Sequence, residues 1–255
     1  MQLRVLGCSG GIGANLRTTS LLIDDDILVD CGTGVGNLSL EEFTTIRHIF
    51  LTHSHLDHVV SLPLLVDTLF DRLQQRPLVL HCQPETFAAL KSHIFNWTIW
   101  PDFFELPNKI DPVIRYSSLQ PGESRKLGDR RVESVKVNHV VPGVGYCISD
   151  SVSTMAFSGD TTTNNHFWQL LNSQARLDLL VIECAFSEQA RELSKVAKHY
   201  CPSLLAEDLA RLRHRPKTCI SHLKPGEENT IFKQLRKALP HVDLVRLVGG
   251  EVFQL

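Results

Sequence analysis

No apolar run in the 255 residues approaches the roughly eighteen consecutive residues that a membrane-spanning helix needs. An excess of either charge is also missing. Lys plus Arg number 26 against 28 Asp plus Glu, a formal net charge of −2, so no global basic field exists to hold a long nucleic acid. The seven cysteines, at positions 8, 31, 82, 147, 184, 201 and 219, stand singly without a Cys-x-x-Cys pair, and an odd number cannot all join in disulfides. A reducing compartment, the cytoplasm, is therefore expected. With 43% hydrophobic and 21% charged residues, the composition excludes a disordered chain, a collagenous repeat and a disulfide miniprotein. A chain of this length buries roughly 70–75% of its unfolded surface. The start, MQLRVLGCSGG, reads as a strand and a turn rather than a signal peptide.

Short apolar runs alternate with turn chemistry through the first third: Leu3 to Leu6, Ser20 to Ile23, Ile27 to Val29 and Ile46 to Leu51. Asp24-Asp25-Asp26 reads as a hairpin turn. Val59 to Leu73 has helical periodicity, Pro77 to His81 is a strand, and Pro84 to His93 is a helix opened by proline. Later strands are expected near Val132–Val137, Val144–Ser149, Thr154–Phe157, Leu179–Ile182, Thr218–Ile220 and Leu244–Leu247. Helices are expected over Asn165–Ser173, Glu188–Ala197, Pro202–Arg213 and Glu227–Leu239. No low-complexity tract or linker interrupts the chain, so residues 1–255 read as one domain of two halves, roughly 1–127 and 128–255. Hairpins first and β/α alternation later predict an α/β (α+β) fold of two packed sheets with helices outside.

What is abundant is histidine, twelve in all, and its spacing matters more than its number. His53, His55 and Asp57 stand at i, i+2 and i+4, so an extended segment would send all three side chains to one side, and His58 follows directly. Imidazoles mixed with a carboxylate suit zinc, manganese or iron rather than calcium. Other apolar strands also end in ligand-type residues: VESVKV before Asn138-His139, TMAFSG before Asp160, KTCIS before His222. Strand ends converge at a common rim, and five histidines with two aspartates suffice for two metals with open positions. The glycine-rich GCSGGIGANLRTTS is not GxxxxGK[ST] and precedes a strand, so it is expected to let backbone pass close to the site rather than to bind nucleotide phosphates. The aromatic segment HIFNWTIWPDFFELP, with Trp97, Trp100, Phe103 and Phe104, reads either as core packing or as a surface that stacks a base, covers a cleft or meets a second copy.

THSHLDH, the isolated His139, SGDT and ISHLKPG resemble, in order and spacing, the metal motifs of the metallo-β-lactamase superfamily. The resemblance implies an αββα sandwich of two mixed sheets with a binuclear site between them. It implies that His53, His55 and His139 bind one divalent ion, that Asp57, His58 and His222 bind the other, and that Asp160 bridges them. Zinc is the metal it favours, with manganese or iron as alternatives. His-Leu-Asp-His with Leu56, His222 to Gly226 (HLKPG) and His199 to Ala210 (HYCPSLLAEDLA) are similar to class II 3′,5′-cyclic-nucleotide phosphodiesterases. Ser61 departs from the glycine many members carry after the motif, and its small side chain fits the same space.

The function implied is hydrolysis of cyclic AMP or cyclic GMP to the 5′-monophosphate by a hydroxide bridging the two metals, with Asp57 and His199 in catalytic roles. A homodimer and a cyclic-nucleotide substrate are the expected partners; membrane and long nucleic acid are not. Ribonuclease Z-like RNA cleavage is the alternative, although its His before Ser-Thr is replaced here by His199 before Tyr200-Cys201. A non-enzymatic, metal-stabilised binding protein is the other. Asp30 either holds a metal-binding histidine or caps a tight turn. Glu183 reads as a supporting acid at a strand end, and Lys224 as either a substrate contact or a solvated turn residue. His48, His81, His93, His166, His214 and His241 are left to structure or solvent.

Overall fold

The computed structural model describes residues Met1–Leu255. Fourteen strands form two seven-stranded sheets. The first contains β1 (Gln2–Gly7), β2 (Ser20–Ile23), β3 (Ile27–Val29), β4 (His48–Phe50), β5 (Leu78–Cys82) and β6 (Ile114–Ser118). The second contains β7 (Ser124–Leu127), β8 (Arg130–Lys136), β9 (Val144–Ser149), β10 (Thr154–Phe157), β11 (Leu179–Glu183), β12 (Lys217–Ser221) and β13 (Leu244–Arg246). β14 (Val252–Gln254) returns to pair with β1, giving the orders β14-β1-β2-β3-β4-β5-β6 and β13-β12-β11-β10-β9-β8-β7.

Both sheets follow one grammar. Pairing is antiparallel from β14 to β3 and parallel from β3 to β6; it is antiparallel from β7 to β10 and parallel from β10 to β13. Hairpin turns suffice for the first kind, whereas each parallel step needs a crossover, which carries a helix onto the outer face of its sheet. Alternation along the strands assigns the two faces. Leu179 and Val181 of β11 join Leu3, Val5, Ile27, Val29, Tyr146 and Phe157 in a core between the sheets. Leu180 and Ile182 turn instead to the helices that carry Trp168, Leu205 and Ile231. Leu28 of β3 likewise turns to a third core with Ile49, Leu65 and Leu80. The result is the helix–sheet–sheet–helix order, and strands covered on both faces explain the near-continuous apolar runs.

Three strands escape the sequence pattern: β6, β7 and β14 are all at sheet edges, with polar stretches such as IRYSS and SRKL. An edge strand is covered less, so no apolar alternation marks it. These strands also move the boundary between halves, since Ser124–Leu127 belongs to the second sheet and Val252–Gln254 to the first. The helix expected over Val59–Leu73 is three short pieces, Leu56–Val59, Leu62–Thr68 and Phe70–Leu73. Pro63 sits in the first turn of the second piece, where its missing N–H costs nothing, and Leu69 leaves helical geometry at φ −100°, ψ 4°. In the aromatic segment Phe95 and Phe103 are buried in the first-sheet core, while Trp97 is 59% exposed.

Candidate metal centre

The strand ends meet at one rim. β4 runs out into Thr52-His53-Ser54-His55, the β8–β9 connection carries His139, β10 leads to Asp160, β11 ends in Glu183, and β12 leads to His222. One part of the sequence expectation is corrected here. His55 is still extended, at φ −64° and ψ 145°, but Asp57 and His58 lie within the helical turn Leu56–Val59. The motif is therefore not one extended segment with three side chains on a side. The turn redirects Asp57 and His58, and the motif contributes to two groups while the His53 and His58 ring centroids stay 4.3 Å apart.

His53, His55, His139 and Asp160 form one group whose ligand-type atoms all lie within 4.8 Å of one another, and Asp57, His58, Asp160 and His222 form a second. Asp160 belongs to both, and also to a third group with Glu183 and His199. Its Oδ2 is 3.7 Å from His53 Nε2 and 3.4 Å from His58 Nε2, and its Oδ1 is 3.3 Å from His222 Nδ1. Asp57 Oδ2 is 3.7 Å from His58 Nε2 and 3.9 Å from His222 Nε2. His55 Nδ1 and His139 Nε2 approach to 3.1 Å.

These side chains fit divalent cations. His53 Nε2, His58 Nε2 and His222 Nδ1 are buried without a hydrogen-bond partner. Such orphans cost free energy unless something satisfies them, and here all three are directed at the same carboxylate. Burial pushes His53 well below the usual imidazole range and both His139 and His222 to about 4, so these rings stay neutral with a lone pair available. Burial by itself would raise Asp160, but the His222 and His58 imidazoles outweigh it and hold the carboxyl well below its ordinary value.

A supporting layer fixes the rings. Asp30, fully buried, accepts from Thr52 N–H (2.8 Å) and from His58 Nδ1–H (2.7 Å), which leaves His58 Nε2 facing Asp160. Of the two readings of Asp30, the structure has the histidine contact. Thr52 Oγ1 also lies 3.0 Å from His53 Nδ1, a role that sequence reasoning missed although Thr52 opens the motif. His139 Nδ1 is 3.2 Å from the carbonyl of Lys198. Each outer contact sets which nitrogen carries the proton.

Beside these groups, His199 follows the helix Arg191–Ala197 and Lys198, whose φ of 54° turns the chain sharply. Its Nδ1–H donates to Glu183 Oε1 at 2.7 Å, and its ring stacks on His222 with centroids 5.3 Å apart. Glu183 is fully buried yet well served, accepting also from the N–H groups of Thr161, Ala185 and Tyr200. Burial lowers a histidine in isolation, but the Glu183 carboxylate prevails and raises His199 above its ordinary value. Lys224 is turned elsewhere: its Nζ donates to the Gly10 carbonyl at 3.2 Å and so braces the glycine-rich loop. That loop does pass close. A Cβ on Gly10 would lie 2.6 Å from the His222 carbonyl oxygen.

Residues 25–240 match the family described as the β-lactamase superfamily domain. Ribonuclease Z of Halorubrum lacusprofundi is 31% identical over 159 residues, covering 59% of this chain and 48% of its own length. A probable 3′,5′-cyclic-nucleotide phosphodiesterase of Yersinia pestis is 24% identical over 206 residues, covering 71% of this chain and 58% of its own. The chain thus spans about half the length of the curated relatives it matches. The solved structure of unliganded yeast PDE1 superimposes with a TM-score of 0.84 at 18% identity, over 100% of this chain and 99% of that one, a likeness of fold. The chain belongs to the metallo-β-lactamase superfamily.

Proposed function

We propose that this superfamily member is a metal-dependent phosphodiesterase that hydrolyses 3′,5′-cyclic nucleotides to 5′-monophosphates. The observation that carries the reading is one carboxylate, Asp160, shared by two His/Asp groups. His53, His55, His139 and Asp160 would hold one divalent ion, and Asp57, His58, His222 and Asp160 the other. Zinc, manganese and iron all suit this imidazole and carboxylate set, and zinc is our choice. When bound, such ions supply a nucleophile at neutral pH and neutralise charge on phosphoryl oxygens.

The chain's own residues supply the rest. Asp30 and Thr52 hold the His58 and His53 rings in register. Asp57, with its side chain 33% exposed, and His55 are the ligand-type groups that are not buried, so an incoming phosphodiester would reach the site on their side. His199 gives Nδ1–H to Glu183 and has no protein partner at Nε2. As the P–O3′ bond breaks, the Nε2 proton passes to the departing oxygen and the imidazole is left neutral. His-Leu-Asp-His, the Lys-Pro-Gly turn after His222 and the Yersinia relative support the cyclic-nucleotide substrate. The seven free cysteines support a cytoplasmic location, and exposed Trp97 and Ile99 are where a homodimer contact would form.

A second reading, cleavage of RNA, is favoured by the Halorubrum relative. The test is metal analysis of the purified protein, then a panel of cyclic AMP, cyclic GMP, cyclic dinucleotides, precursor transfer RNA and bis(p-nitrophenyl) phosphate. Two metals per chain with selective turnover of cyclic mononucleotides is the expected result. Cleavage of the precursor RNA without turnover of cyclic AMP would overturn it in favour of the second reading. No hydrolysis even of the activated ester would leave a binding protein.

A further inference from the structure

A cavity of about 280 Å³ lies outside the His/Asp groups, between the β1–β2 loop and the segment that follows β13, and Ser9, Leu16, Arg17, Glu228, Arg246 and Leu247 are among its lining residues. Its two arginines have no carboxylate partner. Arg17 donates to the carbonyls of Gly13 and Leu16, at 3.4 and 3.0 Å, and Arg246 to Asn229 Oδ1 at 2.7 Å. Glu228 is the single acid of the lining, and one of its oxygens is taken by the Gly226 N–H at 2.9 Å. Ser9 is 93% buried by its 7% exposure, and its hydroxyl has no partner.

A buried hydroxyl without a partner lies with a half-buried and an exposed guanidinium, neither held by a carboxylate, around an apolar floor. We propose that this cavity is a second binding site, for a small organic anion whose single phosphate or carboxylate is taken by Arg17 and Arg246 and whose apolar body rests on Leu16 and Leu247. The volume stands near the lower end of the roughly 300–1,000 Å³ common for small-molecule sites, which limits the body to about one ring. Binding is non-covalent: burial pushes the neighbouring Cys8 thiol up to about 12, so it stays protonated, and it donates to the Leu247 carbonyl at 3.3 Å. The site adjoins the metal-ligand groups through one layer of backbone. Ser9 bridges Leu223, and the Cys8 carbonyl accepts the His222 N–H at 2.7 Å.

The test is calorimetric titration of the whole chain, treated with a chelator so that no cation attracts the anion, with phenyl phosphate in one arm and benzoate in the other. One saturable site for either probe is expected, and the arm that saturates says which anionic group is preferred. Arg17→Ala and Arg246→Ala should each weaken it at least tenfold, while Asp160→Asn should leave it unchanged. Amide NMR shifts on the unaltered protein give an independent reading, expected at residues 7–17 and 246–249. No saturation with either probe, unchanged affinity in both arginine variants, loss in Asp160→Asn, or shifts centred on residues 53–58 would each overturn the proposal.

Discussion

Two clusters of histidine share the first sheet's reach, and they behave oppositely. At the rim where β4 and β12 end, the imidazoles of His53, His58 and His222 keep buried nitrogens without partners and converge on Asp160. At the start of β4 and in β5, His48 Nδ1 and His81 Nε2 meet at 3.1 Å and bond to each other, and His81 stacks on Phe50 with centroids 4.3 Å apart. No group of metal-ligating residues includes this second pair. The difference is a carboxylate. Around Asp160 three imidazoles each turn a nitrogen toward one carboxylate, whereas His48 and His81 share one proton between them and leave His81 Nδ1 buried without a partner.

The largest expected effect falls on the shared carboxylate. Asp160→Ala should reduce turnover to background and lower the metal content below two per chain, read by elemental analysis; undiminished metal content would end the idea that Asp160 joins the two groups. Next comes His199→Ala, for which a loss of about 10²–10⁴-fold in kcat is expected, the range of a missing proton donor. Its metal content should be normal, which separates it from the first variant, and wild-type turnover would return His199 to a purely structural role. Asp30→Asn keeps the shape but weakens the hold on His58. A drop of about 10–100-fold in metal affinity or activity is expected, the cost of removing an outer partner of a metal-binding imidazole.

The smallest effect belongs to the His48–His81 pair. Burial lowers His81 from its ordinary 6.5 to about 3. Between those values the unfolded chain takes up a proton that the folded chain refuses. This contribution to stability is therefore complete above pH 6.5 and is lost as pH falls toward 3, at up to about 1.4 kcal/mol per pH unit. His81→Gln should flatten urea-denaturation stability against pH across that window while leaving turnover at pH 7 unchanged. An equal slope in both proteins would show that some other group carries the acid sensitivity.

Much of the site was legible in the chain because several ligand-type residues stand just past an apolar strand: His53 after IFL and Thr52, Asp160 after TMAF and Ser158-Gly159, His222 directly after KTCIS. Strand ends are marked by hydrophobicity, and the residue that breaks the run is visible. Thr52 and Lys198 were not legible as supports, since each works through one local contact, a hydroxyl to an imidazole or a backbone carbonyl, that any residue list contains. Lys224, open in the sequence between a substrate contact and a solvated turn residue, bonds the Gly10 carbonyl, because a lysine's stem reaches an acceptor that the neighbouring loop offers. Edge strands such as β6 and β7 were lost for want of an apolar face.

The sequence by itself determined the layers and the inventory of the site: runs apolar enough to be covered on both faces, and a set of histidines and aspartates placed where those runs stop. Only the tertiary structure decided how that set meets. The helical turn at Leu56–Val59 redirects Asp57 and His58 relative to an extended run, and packing of the two sheets brings Asp160 within reach of both groups. The physical reason is that hydrophobic periodicity is a local property, written every second residue, whereas the sharing of one carboxylate by groups 84 residues apart in sequence, as His55 is from His139, depends on the closure of the whole sandwich.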